Sequence, residues 1–238
     1  MLVHEGDTRT FRADLNLSWS LAAVAGALNT AGFYAVGFYA SNMTGNVSAF
    51  SDRAGTGDLI LAAKALLLVC LFVLGAATST LLIRRRRRQA HHNAYAYSIC
   101  VEAVLLAAIG VVALPLAEPA RGEALVFGLS FILGLQNAAV TKITDSRVRT
   151  THVTGMVTDI GIELARWLDR KASDSQAKSY DPAKLQLHLT TVGAFLGGGL
   201  VGVVAYRTIG VGLLFAAAAI LALLTVPVIA ARRSAPAE

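Results

Sequence analysis

The sequence predicts an all-α membrane protein of six transmembrane helices, built as two inverted three-helix repeats whose helices are interrupted at Thr-Gly motifs. Three observations point there. Of the 238 residues 55% are hydrophobic and 15% charged, with a mean hydropathy of +0.59, whereas a soluble domain covers its core with roughly a quarter charged residues. Six apolar segments are each long enough to span a bilayer. Short motifs recur in the same order in the two halves of the chain.

The segments run from about Leu17 to Tyr39, Leu59 to Ile83, Tyr95 to Leu116, Ala124 to Thr141, Leu185 to Tyr206 and Thr208 to Ala231. Crossing ~30 Å of hydrocarbon as a helix takes about 20 residues, and ~17 suffice. The runs lack the period-2 alternation of a membrane barrel strand, so helices are expected. Residues 1–16 and 232–238 read as tails flanking one membrane domain over 17–231, with repeat 1 at about 17–116 and repeat 2 at about 124–231. Arg9 and Arg12 before an apolar run could open a signal peptide. The uncharged stretch from Asp14 to Asp52 is far longer than a signal core, so the first span is expected to be retained.

The net charge of +6 sits in short tracts between apolar runs, as charge-directed topology requires, and not on a basic face with interleaved aromatics, so no nucleic-acid partner is expected. With a cytoplasmic N-terminus, 17 Lys and Arg fall inside and 3 outside, among them Arg170, Lys171, Lys178, Arg232 and Arg233 inside. Both termini are therefore expected in the cytoplasm. The tract Arg84, Arg85, Arg86, Arg87 and Arg88 reads as a stop-transfer anchor that also attracts anionic lipid headgroups. His91 and His92 belong to the solvated loop after it. Lys64, near the outer end of its span, reads as a snorkelling side chain. Cys70 and Cys100 lie in apolar runs and read as packing residues, not a disulfide or zinc site.

Gly26-Ala27-Leu28-Asn29-Thr30-Ala31 and Gly134-Leu135-Gln136-Asn137-Ala138-Ala139 share G-x-x-N-x-A, and Thr44-Gly45-Asn46-Val47-Ser48 and Thr154-Gly155-Met156-Val157-Thr158 share T-G-x-V-[S/T]. Three spans per half make the second half enter from the opposite side, an inverted repeat characteristic of secondary transporters. At each T-G motif small hydrogen-bonding residues interrupt an apolar stretch. A helix restarting there aims its first amides at whatever occupies the break, favouring an anion or a polarised carbonyl. A plain surface turn would need the same residues, but would not repeat with its preceding G-x-x-N-x-A. The expected solute site is lined by Asn42, Thr44, Gly45, Asn46, His152, Thr154 and Gly155, with Asn29, Gln136, Asn137 and Glu102 nearby; the three amides could equally be interhelical hydrogen-bond partners.

Glu102 is the one carboxylate well inside a span, a candidate for proton or ion coupling or else a structural partner for another helix. His152 and His188 could pass protons, but neither has the paired ligands of a metal site. Gly193, Gly197, Gly198, Gly199 and Gly202 form a packing face in the fifth span, within the subunit or in a homo-oligomer. Residues from Met156 to Trp167 alternate as an amphipathic helix, and the polar segment from Asp169 to Lys184 reads as the longest loop.

The segments GALNTAGFYAVGFYASNMTGN and GLQNAAVTKITDSRVRTTHVTG resemble the YoaK-type family of bacterial membrane proteins, a domain of unknown function, over roughly Leu17 to Ala231. The resemblance implies a six-span inner-membrane protein and no established substrate or reaction. Asn29 stands where the family pattern often carries Asp, which removes a possible intramembrane charge here.

No hydrolase, zincin, phosphate-loop or dinucleotide motif is present, so neither an enzyme nor a cofactor is expected. The leading expectation is a secondary transporter or permease for a small polar or anionic solute. The alternatives are a non-transporting scaffold or sensor binding anionic lipid or a partner through its basic face, and a lipid-active enzyme using Glu102 or His152.

Overall fold

The structure is a computed structural model describing residues 2, 9–89, 93–169 and 180–231. The histidines at 91 and 92, the basic residues at 170, 171, 178, 232 and 233, and the C-terminal tail lie outside the described residues. The described chain is helical, with no strand: α1 (Phe11–Val36), α2 (Met43–Gly55), α3 (Leu59–Arg88), α4 (Ala94–Ala113), α5 (Ala120–Ile143), α6 (Val153–Leu168), α7 (Pro182–Ile209) and α8 (Gly212–Ala231). All but α2 and α6 are long and apolar enough to cross a membrane.

Local chemistry sets the ends. Thr10 accepts the Ala13 amide and starts α1 earlier than the apolar run does, so part of the expected N-terminal tail is helix. Gly37, at φ 75°, stops α1 before Tyr39 in the left-handed conformation that glycine adopts without strain. Asp58 caps α3, and Asp181 followed by Pro182 starts α7.

Packing pairs α1 with α7, α3 with α5 and α4 with α8, while α2 folds back on α3 and α6 on α7. The two main crossings are built alike. A Cβ at Gly26 would overlap the Phe195 carbonyl of α7, and one at Gly198 the Ala23 carbonyl of α1. At the other crossing a Cβ at Gly134 would overlap the Phe72 carbonyl of α3, and one at Gly75 the Phe131 carbonyl of α5. Small residues let apolar helices approach where lipid offers no hydrophobic drive. Gly199 and Gly202 also face α1, so most of the glycine-rich face of α7 is used within the chain, whereas Gly193 and Gly197 meet nothing within 4 Å.

Leu21, Leu28, Leu129 and Ile132 are fully buried between these helices. Outward faces carry exposed leucines such as Leu59, Leu81, Leu200 and Leu223, an apolar exterior that suits hydrocarbon. Cys70 is on that exterior, so it is not a packing residue; Cys100 is half-buried. Lys64 does not merely snorkel: its Nζ meets Glu123 Oε1 of α5 at 2.6 Å.

Candidate functional site

The residues after α1 turn back on it. Asn29 lies seven residues before the end of α1, about 10 Å along the axis at ~1.5 Å per residue, and its buried Oδ1 accepts both the amide and the hydroxyl of Ser41, each at 2.9 Å. The Asn46 side chain donates to the Tyr39 carbonyl at 3.1 Å, closing the same turn. In the second half the Thr150 hydroxyl donates to Gln136 Oε1 at 3.3 Å, tying the chain after α5 back to α5. The short helices α2 and α6 therefore begin beside the flanks of α1 and α5.

There they open on a cavity of about 580 Å³. Its wall draws on matching places in the two halves: Asn29 with Asn137, Asn42 with His152, Thr44 with Thr154, and Phe72 with Phe195. Among the described residues no Asp, Glu, Lys or Arg lines it. Burial follows the same pattern at both motifs: Asn42 and His152 are exposed, as are Thr44 and Thr154, while Asn46 and Met156 turn inward.

Of the residues expected at the site, Asn29, Asn42, Thr44, Asn137, His152 and Thr154 line the cavity. Gly45, Asn46, Gln136 and Gly155 are not on its wall and support it instead. Asn42 caps α2 by accepting the Gly45 amide at 3.1 Å, and a Cβ at Gly45 would strike the Asn42 side chain. His152 occupies the equivalent place above Gly155, where a Cβ would strike its ring, but makes no capping hydrogen bond. In both helices the motif glycine makes room for the side chain folded over the first turn. The first amides of each helix have no partner within it, and neither first turn holds an acid.

Glu102 is fully buried in α4 and does not line the cavity. Arg86 stacks on the Tyr97 ring at 3.7 Å and Arg87 donates to the Tyr95 hydroxyl at 2.8 Å, while Arg84, Arg85 and Arg88 are exposed. His188 is held near Asp159, beside Lys184, in a separate charged cluster at the starts of α1 and α7.

Reading by motif missed Phe72 and Phe195. A signal was present: Phe72-Val73-Leu74-Gly75 and Phe195-Leu196-Gly197-Gly198 share F-x-x-G, the glycine serving the crossing and the phenyl one turn away serving the cavity.

Removing the Asn29 tether has a measurable cost. Asn29→Ala leaves the Ser41 amide and hydroxyl without their acceptor and is expected to lose about 1–3 kcal/mol of stability. Asn29→Asp keeps both acceptor contacts and should melt close to the parent. Thermal unfolding in detergent distinguishes them, and equal melting of all three chains would remove the tether's role.

A family model described as a protein of unknown function, DUF1275, matches residues 17–227, in agreement with the resemblance carried by the two motif segments. No curated protein and no solved structure matches the chain.

Proposed function

Because the chain belongs to the DUF1275 family, whose function is unknown, no activity comes with membership, and we propose from the cavity's geometry that it is a secondary transporter or permease for a small polar or anionic solute. The observation that carries this is the cavity wall, drawn in matched pairs from the two halves where α2 and α6 begin. Two helix N-termini meeting a wall without carboxylates favour an anion or a polarised carbonyl group over a cation. The matched α1–α7 and α3–α5 crossings support two inverted repeats, each of three spans and one short helix. Rocking one repeat against the other would expose the cavity alternately on the two faces. The Lys and Arg distribution favours both termini in the cytoplasm, and the resemblance to bacterial membrane proteins favours a bacterial inner membrane.

The test is thermal stability of the full-length protein against a panel of small metabolites and inorganic anions. A ligand at ~100 times its Kd adds about 2.7 kcal/mol to the native state. Stabilisation by a panel member that is lost in both Thr44→Val and Thr154→Val is the expected result, and uptake of that compound into proteoliposomes follows. Stabilisation unchanged in both variants would move the site elsewhere.

A second reading has its own observation. At ~1.5 Å per residue α3 is about 45 Å long, against ~30 Å of hydrocarbon, so its terminal arginines reach headgroup level, with Arg86 and Arg87 braced by tyrosines. As a scaffold or sensor the protein would bind anionic lipid there. It would be stabilised by phosphatidylglycerol vesicles only while Arg84 to Arg88 are intact, and by no panel member.

A further inference from the structure

Glu102 stands apart from the solute cavity, about 12 Å from the start of α4 at ~1.5 Å per residue. It is fully buried, and neither carboxylate oxygen has a hydrogen-bond partner. Buried polar atoms are nearly always paired, and an unpaired one calls for a reason. The buried carboxylates of Asp14 and Glu163 show what a structural acid looks like in this chain: Asp14 meets Arg9 and Arg147, and Glu163 meets Arg166 and the Asp181 amide. Glu102 has no such contact.

The helices packed on α4 are α3, α5 and α8. Their titratable and charged residues are Lys64, Cys70 and Arg84 to Arg88 on α3, Arg121, Glu123 and Lys142 on α5, and none on α8; α4 itself adds Tyr95, Tyr97 and Cys100. Lys64 is taken by Glu123, and the tyrosines by arginines. No ion pair reaches Glu102 among the described residues, and no group of three His, Cys, Asp or Glu side chains there could hold a metal ion. A charged carboxylate would have no counter-ion at this depth, and hydrocarbon supplies none. A proton needs only one carboxylate oxygen.

We propose that Glu102 is a reversible proton-binding site, holding a proton while buried and exchanging it with water when the helices around α4 part. The step makes and breaks one O–H bond and needs no other reactant. Helix α3 runs from the neighbourhood of the site to the cavity. Ser98, one turn earlier on the same face of α4, shares a 2.9 Å hydrogen bond with Ser79 of α3. One turn back along α3, Gly75 lies against the Phe131 carbonyl of α5, and Phe72 beyond it lines the cavity. Helix α3 therefore borders both the surroundings of Glu102 and the cavity wall. Only the coupling to a solute rests on the transport reading; proton binding stands without it.

The test treats the full-length protein in detergent with dicyclohexylcarbodiimide, which adds to a protonated carboxyl in apolar surroundings, and maps the adduct by mass spectrometry. Glu102 should be labelled, with a rate that falls about tenfold per pH unit once the site titrates. Infrared spectroscopy should find a carboxylic-acid carbonyl band that fades over the same pH range. Glu102→Gln should lose both signals and melt no lower than the parent, since glutamine fits the same volume. Absence of both signals in the parent, signals that do not change with pH, or a Glu102→Gln chain that melts well below the parent would overturn the proposal. An empty result in the solute panel leaves these readouts untouched, so failure of the transport reading and failure of the proton site are separable.

Discussion

Gly75→Ala and Gly134→Ala are each expected to destabilise the protein by about 1–3 kcal/mol, the usual cost of forcing extra volume into a well-packed contact. The added methyl group meets a backbone carbonyl, at Phe131 in one case and Phe72 in the other, so no side-chain rotation relieves it and the two helices must separate. Gly26→Ala and Gly198→Ala should behave alike at the α1–α7 crossing. Opposing this, alanine gains up to about 1 kcal/mol over glycine in a helix interior. Gly193→Ala and Gly197→Ala isolate that gain, because nothing lies within 4 Å of either position, and they should leave stability unchanged or slightly raised. Thermal unfolding of the six variants in one detergent is the measurement. If the crossing variants melt with the Gly193 and Gly197 variants, the helices are not in backbone contact. Since Phe72 and Phe195 lie one turn from these glycines, ligand stabilisation should fall along with the melting temperature.

Asp14→Ala is expected to cost about 3–5 kcal/mol, the range for leaving one member of a buried ion pair without the other. Its carboxylate is 6% exposed and meets the fully buried Arg9 guanidinium on one oxygen and Arg147 on the other, at 3.3 Å. Truncation takes this carboxylate away from two arginines, one of them where water does not reach. The contrast is Glu123→Ala. Lys64 and Glu123 meet at 2.6 Å, yet each is about a third exposed, so solvent screens the pair and its loss should cost below about 1 kcal/mol. Distance hardly separates the two pairs, since Arg9 meets Asp14 as closely as Lys64 meets Glu123; burial decides. Removing both charges together, as Arg9→Met with Asp14→Leu, should recover most of the loss, because replacing a buried pair by apolar residues costs less than removing one partner. Equal losses for Asp14→Ala and Glu123→Ala would show that the Arg9 site is wetter than its burial implies.

Much of this architecture is legible in the chain. Six apolar runs foretell six long helices, because a backbone in hydrocarbon must satisfy its own hydrogen bonds. Thr10, Asp58 and Pro182 mark helix starts through their capping chemistry, and Gly37 marks an end. The paired G-x-x-N-x-A and T-G motifs both border the cavity, since in each half the first ties a returning loop, through Asn29 or Gln136, and the second starts a short helix.

The tertiary structure decided what local patterns cannot express. A long helix that is apolar nearly all round does not declare which side faces its partner, so the pairing of α1 with α7 and α3 with α5, and the placing of Phe72 and Phe195 on the cavity wall, come only from packing. The same reason separates Glu102 from the cavity: its depth follows from its position in α4, but its direction follows from the neighbours of α4. It also turns Lys64 from a snorkelling side chain into the partner of Glu123, residues far apart in sequence that meet only because α3 and α5 cross. Sequence determines where this chain is helical, where it breaks and what each break contains; the meeting of helix faces determines which of those residues share a site.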